Sequence, residues 1–263
     1  VKMGVGYTLG CLASILLWNV ERQAFFRKLD GFIKSFFQSK TIAYVFYVLG
    51  ILILSFMAII FWDNEIANFI TSFLVIDISL SERENIEAED MRFNATIGKL
   101  CRSLVCGMTA PLFYVLLFGN VGGIVYFALY NICYAGYYHV FDKVLSLLTV
   151  IPGFLVQLIF YFVYIFKSKK LAIDFKGDYL INIVKRPLLN LEITAANIGS
   201  ISFYYHFQEK EQSYVKLYGN EKNQITGNII VGYLSTLYIA AIFIFLGFLA
   251  LYIVKTINFV SIM

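Results

Sequence analysis

Long stretches without charge constrain this chain more than any other feature of its sequence. Residues 41–62 and 108–131 contain no Asp, Glu, Lys or Arg. Each stretch is long enough to cross the hydrocarbon core of a bilayer, which takes about 20 apolar residues. Only 14% of the 263 residues are charged, against roughly a quarter in soluble domains. The sequence therefore predicts an all-α fold, that of a polytopic integral membrane protein built of helices.

Basic residues lie mostly between the hydrophobic stretches, where the positive-inside rule uses them to orient the helices. The rule places residues 20–40, 81–102 and 167–227 on the cytoplasmic side. If every hydrophobic segment crossed once, however, the last of these would emerge on the opposite side. One segment is therefore expected to be broken or re-entrant, which a membrane tolerates where protein or water satisfies the freed backbone groups.

Two places in the central hydrophobic region are candidates for that break. One is Gly119-Asn-Val-Gly-Gly123, because glycine permits turns and close backbone approach. The other is Ile151-Pro-Gly153, because proline removes a helical hydrogen-bond donor. The charge distribution does not choose between them.

The organisation expected from these patterns is a single membrane domain over residues 1–263. The hydrophobic run Met3–Trp18 is interpreted as a retained helix, since no cleavable signal peptide is evident in it. The expected parts are N-terminal helices (1–80, with an amphipathic helix at 21–37), a charged cytoplasmic segment (81–102), a central broken hydrophobic region (103–166), a polar cytoplasmic segment (167–227) and a C-terminal transmembrane helix (228–254).

The segment 21–37 combines an apolar stripe at helical spacing with basic residues elsewhere on its surface. Two interpretations stay open: the helix lies on the membrane surface, or it packs against the cytoplasmic side of the protein itself. The stripe comprises Phe25, Phe26, Leu29, Phe32, Ile33, Phe36 and Phe37.

Metal, disulfide and nucleic-acid chemistry find little support in the sequence. The four cysteines lie in or beside hydrophobic runs and form no C-x-x-C pair, which argues against zinc and against a disulfide framework. The acidic run 81–90 could hold Mg²⁺, but a solvated helical face is the simpler interpretation. The net charge is +4, and the basic clusters flank hydrophobic spans. That placement suits an interaction with anionic lipid and not with nucleic acid.

Four short blocks over roughly residues 90–225 resemble, in order, the signature segments of the CobD/CbiB family of cobalamin-biosynthesis membrane proteins. The blocks are Ala110-Pro-Leu-Phe-Tyr114 with Gly122-Gly123, Tyr126, Ala128 and Asn131; Phe141-Asp-Lys-Val-Leu145 with Val150-Ile-Pro152; Asn190-Leu-Glu192 with Ala195-Ala196 and Gly199; and Lys216-Leu-Tyr-Gly-Asn220.

The resemblance implies a multi-pass protein of the bacterial inner membrane. It further implies an ATP-dependent amide ligase, with Mg²⁺, that joins aminopropanol or its phosphate to the corrinoid cobyric acid. Arg102 would pair with phosphate, while Asp142 and Glu192 would act as metal-binding or acid/base carboxylates. No dedicated metal-ligand set is predicted. The residues expected to bind substrate are Asn131, Asn190, Tyr218 and Gly219.

The same blocks depart from the family at polar positions. Residues 102–109 lack the carboxylates and the amide that precede the family's A-P-L-F, and residues 132–135 replace its T-L-D-S. A related branch, AmpE, keeps this core and is associated with cell-envelope signalling. The N-terminal region of this chain resembles that of AmpE as well. The alternative is therefore a non-catalytic membrane scaffold or signalling protein that associates with another membrane protein or with a second copy of itself. Broken hydrophobic segments leave a transporter or channel as a third class.

Overall fold

The computed structural model describes residues 5–17, 28–33, 35, 40–61, 64–76, 93–135, 139–209, 212–222 and 227–262. A π-helical turn, Val105–Thr109, joins two of the helices. The elements are α1 (Val5–Leu16), α2 (Lys40–Ile60), α3 (Glu65–Val75), α4 (Phe93–Leu104), α5 (Ala110–Ala135), α6 (His139–Ser168), α7 (Tyr179–Lys185), α8 (Leu189–Ile198), β1 (Ile201–Glu209), β2 (Gln212–Lys222) and α9 (Gly227–Ile262).

Helices dominate, and four helical stretches are long and apolar enough to cross a membrane: Thr41–Ile60, Ile97–Cys133, Val140–Ser168 and Ser235–Lys255. α1 and α3 are apolar but shorter. The predicted all-α, multi-pass membrane architecture is confirmed. One antiparallel β-hairpin, formed by β1 and β2, is added to it.

The break in the central hydrophobic region lies at Gly119, inside α5. Its φ of 63° and ψ of −151° belong to a backbone region that residues with a Cβ rarely adopt. The chain reverses there. The rings of Tyr114 and Tyr126 would be about 18 Å apart along a straight helix, yet they stack with centroids 5.4 Å apart. The first candidate for the break is confirmed; the second is wrong, because Pro152 lies inside the continuous helix α6.

The chain divides into two compact units. The first, here called the helical unit, comprises residues 1–81, 106–148 and 244–263; the second, the hairpin unit, comprises residues 82–105 and 149–243. The helical unit contains the reversal at Gly119, and the hairpin unit contains the β-hairpin with α4, α7 and α8.

Small residues bring α1 and α3 together in the helical unit. Gly6, Gly10 and Ser14 recur at every fourth position, a spacing that lets helix backbones approach closely in membranes. A Cβ at Gly6 would lie 2.7 Å from Glu65 Oε2, and one at Gly10 would overlap Ser72 Oγ. From the first contact to the second, the residue numbers rise on both helices. α1 and α3 therefore run in the same direction.

Residues 28–33, part of the predicted amphipathic helix, pack against the protein. Ile33 is buried, and Asp30 accepts a hydrogen bond from Tyr47 Oη at 2.8 Å. One face of these residues is thus covered by the protein, and Phe32 on another face is exposed. Residues 21–27, 34, 36 and 37 lie outside the described part of the chain. The buried cluster around Ile33 also contains Ala43, Tyr47, Leu129, Ile132 and Phe141.

The hairpin unit is organised around α8, whose apolar side chains are almost all buried. α4, α7 and β1 contact this helix. On the hairpin, Phe203 and Phe207 alternate with exposed residues, and Tyr218, which pairs with Phe203 across the strands, is fully buried. This period of two gives the hairpin one inner and one outer face.

Candidate functional site

Arg102 and Glu192, 90 positions apart in the chain, lie near each other where α4 packs on α8. Glu192 lies against Gly98, where a Cβ would be 3.3 Å from Glu192 Oε1. Glycine at this position of α4 therefore leaves room for the carboxyl group. The structure thus brings together two of the three residues predicted to be catalytic.

The protein surroundings change the acidity of Glu192. Desolvation by the enclosing protein raises its pKa to about 7, and the nearby Arg102 guanidinium opposes that rise. Tyr205, on β1, also has a raised pKa, first because it is desolvated and then because the Glu192 carboxylate is close. A carboxyl group that titrates near neutral pH can act as an acid or a base, and such groups are enriched at functional sites.

A second polar cluster joins the hairpin to the start of α7. Lys216 Nζ bonds to Asp178 Oδ2, and Tyr218 Oη donates to the same oxygen at 2.8 Å. The hydrogen bond from Lys216 is the main reason that the pKa of Asp178 is lowered. The pKa of Tyr218 is raised, chiefly by desolvation and then by its bond to Asp178. The hydroxyl group of Tyr218, a predicted site residue, is therefore hydrogen-bonded to a carboxylate of the protein itself.

Asp178 and Lys216 are the members of this cluster that the sequence did not predict to be functional. Asp178 occupies the N-cap position of α7 without capping it through its side chain, because its carboxylate is held by the hairpin. Aspartate directly before a helix ordinarily signals a cap. The sequence signal was thus present but would have suggested a local role.

Asn190 is fully enclosed and ties α7 to α8. Its Nδ2 donates to the Tyr179 carbonyl at 2.9 Å, and its Oδ1 accepts from Asn182 Nδ2 at 3.3 Å. The predicted substrate-binding amide therefore has both ends engaged within the protein. Gly219, the other predicted residue nearby, has φ 87° and contributes a backbone conformation that favours glycine.

Asn131 and Asp142, the remaining predicted residues, belong to the helical unit. Asn131 is buried in the part of α5 that follows Gly119, where its Nδ2 donates to the Phe127 carbonyl at 2.8 Å. Its Oδ1 has no hydrogen-bond partner among the described residues. Asp142 is half-buried in the first turn of α6, where a carboxylate is favoured by the helix dipole.

In the two polar clusters described above, each carboxyl group lies beside a cation, an arrangement that does not suit a magnesium–nucleotide site. In the ranges that the structure describes, no three His, Cys, Asp or Glu side chains cluster as metal ligands would. Asp178 is paired with Lys216, and Glu192 lies beside a guanidinium. Mg²⁺ with a nucleotide is usually held by one or two carboxylates with an open side toward phosphate. The acidic run 81–90 lies outside the described part of the chain.

A line of hydrogen bonds in the helical unit, which ends at the carboxyl group of Glu65, was not predicted. Tyr7 Oη donates to Asn120 Oδ1 at 2.7 Å, and Asn120 Nδ2 donates to Asn68 Oδ1 at 2.8 Å. Asn68 Nδ2 continues to Glu65 Oε2 at 3.4 Å, which also accepts from Gly6 N at 2.8 Å. Asparagines within apolar stretches were the available signal. This line connects α1, α3 and the turn after Gly119.

The comparisons with known proteins add no relative. No protein-family model matches the chain, and neither a curated protein nor a solved structure is similar to it.

Proposed function

We propose that the chain is a non-catalytic membrane scaffold or signalling protein of the bacterial inner membrane, as the resemblance to AmpE suggests. Its partner would be another membrane protein or a second copy of the chain. The observation that carries the proposal is the engagement of Asn190 and Tyr218 with internal groups. Residues that orient a substrate need free donors or acceptors, whereas the hydrogen bonds of these side chains are made within the protein.

The cations beside Asp178 and Glu192 support the same proposal. Activation of a carboxylate by ATP requires groups that neutralise the phosphoryl oxygens. Lys216 would be a suitable cation, but it is bound to Asp178. The charges of this cluster therefore hold the hairpin on α7.

Purification of the full-length chain from native membranes tests the proposal. A scaffold is expected to elute with a second membrane protein at fixed stoichiometry, or as a dimer of itself, after chemical cross-linking in the intact membrane. The same preparation is expected not to bind Mg–ATP or a corrinoid. Saturable binding of either ligand would contradict the scaffold function.

A second candidate is the CobD/CbiB-type ligase, and one observation favours it. Glu192, with a pKa of about 7 beside Arg102, is a carboxyl group suited to proton transfer at neutral pH. The test is restoration of corrinoid completion in a cell that lacks the family enzyme. Restoration that is lost in Glu192→Gln and kept in Asp174→Asn, which changes an exposed carboxylate, would establish this function. Failure of the wild-type chain, with its expression confirmed, would exclude it.

A further inference from the structure

The chain turns back at the end of α6 and runs along that helix. Lys169, directly after α6, has φ 56°, a left-handed conformation that ends helices. Tyr161 Oη then donates to the Leu171 carbonyl at 2.5 Å, and Tyr164 Oη donates to the Ala172 carbonyl at 3.1 Å. The segment that follows α6 is thereby held against the last two turns of the helix and does not extend away from it.

α7 lies farther back along the same helix. Gln157 Nε2 donates to Tyr179 Oη, at the start of α7, at 3.3 Å. Pro187, just after α7, lies beside Gly153, where a Cβ would be 3.3 Å from the Pro187 carbonyl oxygen. α7 is therefore placed next to α6 between the levels of Gln157 and Gly153.

The length of α6 fixes the depth of that contact. α6 has 30 residues, and the hydrocarbon core of a bilayer takes about 20 of them, so any crossing stretch includes roughly residues 149–158. Gly153 and Gln157 both fall in this interval. Wherever α6 is positioned along the membrane normal, the residues of α6 that contact Tyr179 and Pro187 lie within the apolar layer or at its edge.

The outward side of α7 is apolar and exposed. Leu180, Ile181 and Val184 are 76%, 53% and 65% exposed, while Asn182 is buried and donates to Asn190 Oδ1. The side chain of Asn182 therefore turns inward. Exposed apolar side chains also follow α6 at the same levels; they are Ile151, Phe154, Leu155 and Leu158. On a helix that crosses a membrane, such a stripe faces lipid.

We propose that α7 is a re-entrant helix inserted in the bilayer, with Leu180, Ile181 and Val184 in contact with phospholipid acyl chains. The occupant of this face is lipid because the contacts of Tyr179 with Gln157 and of Pro187 with Gly153 place the face at the membrane depth of α6. Lys185, which is exposed at the end of α7, has a long aliphatic stem that lets its ammonium group reach the interface. The hairpin unit is thereby attached to the membrane by a contact other than its spanning helices.

This assignment divides the segment 167–227, which the sequence predicted to be wholly cytoplasmic. Residues 179–185 enter the membrane without crossing it, so both flanks of α7 remain on one side. The inference does not depend on whether the protein is a scaffold or an enzyme, because it rests only on the contacts of α6 and α7.

Fluorescence quenching in bilayers tests the depth of α7. The full-length chain with Trp18→Phe and Trp62→Phe is reconstituted in phosphatidylcholine vesicles whose acyl chains carry bromine. A single tryptophan is then introduced by Leu180→Trp, with Val184→Trp as a second variant in case the first does not fold. Phe154→Trp, on the exposed stripe of α6, is the matched lipid-facing control, and free N-acetyltryptophanamide is the aqueous reference. Circular dichroism and gel filtration establish that each variant is folded.

The expected result is quenching by brominated chains as strong as that of Phe154→Trp, a blue-shifted emission maximum, and weak quenching by aqueous iodide. Strong quenching by iodide without quenching by bromine would place α7 in water and overturn the proposal. Insensitivity to both quenchers would mean that protein covers this face, which would also overturn it.

Discussion

The two units satisfy their buried polar groups in different ways. The helical unit uses neutral hydrogen bonds, such as Tyr7 to Asn120, together with close backbone contact at Gly10. The hairpin unit uses charges, with Asp178 bound to Lys216 and Glu192 beside Arg102. Ionised groups are costly to bury where water is absent, so the helical unit relies mainly on amides, hydroxyls and shape, although Asp30 and Glu65 also accept hydrogen bonds there. From this difference we expect the stability of the helical unit to depend mainly on packing. The stability of the hairpin unit should depend mainly on the protonation of its charged groups.

The largest expected effect is steric and falls on the helical unit. Gly10→Leu places a side chain where a Cβ alone would overlap Ser72 Oγ, so α1 and α3 must separate. Overpacking of this kind costs about 3 kcal/mol or prevents folding. Thermal unfolding in lipid nanodiscs measures the change.

The matched control for that substitution is Gly50→Leu in α2. No atom lies within 4 Å of a Cβ at Gly50, so the same change should be neutral or slightly stabilising, because leucine is a better helix former than glycine. Equal loss of stability in the two variants would remove the distinction between a packed seam and an open helix face.

The next largest effect concerns pH and the hairpin unit. The pKa of Glu192 is raised from 4.5 to about 7, so between these values the folded chain binds more protons than the unfolded chain. Its contribution therefore makes the free energy of unfolding fall as pH rises through this window. Glu192→Gln should remove that fall and stabilise the fold by about 1–3 kcal/mol at pH 8.

Arg102→Gln sharpens this prediction, because it removes the cation that opposes the rise in the pKa of Glu192. The fall in the free energy of unfolding should then extend to higher pH than in the wild type. An unchanged pH profile in both variants would mean that Glu192 is solvated as an ordinary surface carboxylate.

A smaller loss is expected from the neutral hydrogen bonds of the helical unit. Asn120→Ala removes the partner of both Tyr7 Oη and Asn68 Oδ1, at a cost of about 1 kcal/mol, since single hydrogen bonds between membrane helices average roughly 0.6 kcal/mol. Leu117→Ala, at an exposed position on the other side of Gly119, is the control. A loss no larger than that of Leu117→Ala would contradict the contribution of these hydrogen bonds.

The smallest effect belongs to the partly exposed pair of Asp178 and Lys216. Their side chains retain 25% and 30% of their exposure, so a double-mutant cycle with Asp178→Asn and Lys216→Met should give a coupling below about 1 kcal/mol. The pKa of Asp178 is lowered, so this coupling is present at neutral pH and lost as the pH falls through the folded pKa. Its direction is opposite to that of Glu192. A coupling that grows toward acid pH would be inconsistent with the pair.

The sequence predicted the long apolar helices and the broken segment because charge-free length and the placement of basic residues are global signals. The turn at Gly119 followed from the need for one segment not to cross, yet the pattern did not exclude Pro152. Gly6-x-x-x-Gly10 was also readable as a packing motif, but its partner on α3 was not. Contacts between distant helices depend on the tertiary arrangement, and the local sequence carries no signal of the partner.

The polar clusters were predictable only in part. Arg102 and Glu192 were predicted through the family resemblance, and the structure places them together. Lys216 and Asp178 are 38 residues apart and lie on elements that the sequence did not show to be adjacent. The hairpin itself escaped prediction because its alternating aromatic residues also suit a membrane surface, and only pairing of β1 with β2 distinguishes the two.

The most direct test of the proposed function is equilibrium binding of Mg–ATP to the full-length chain in lipid nanodiscs, measured by isothermal titration calorimetry at pH 7. The engagement of Asn190 and Tyr218 with internal partners predicts no saturable heat, for the wild type and for Glu192→Gln alike. Saturable binding by the wild type that is lost in Glu192→Gln or Arg102→Gln would show that these side chains serve a ligand and would contradict the scaffold function.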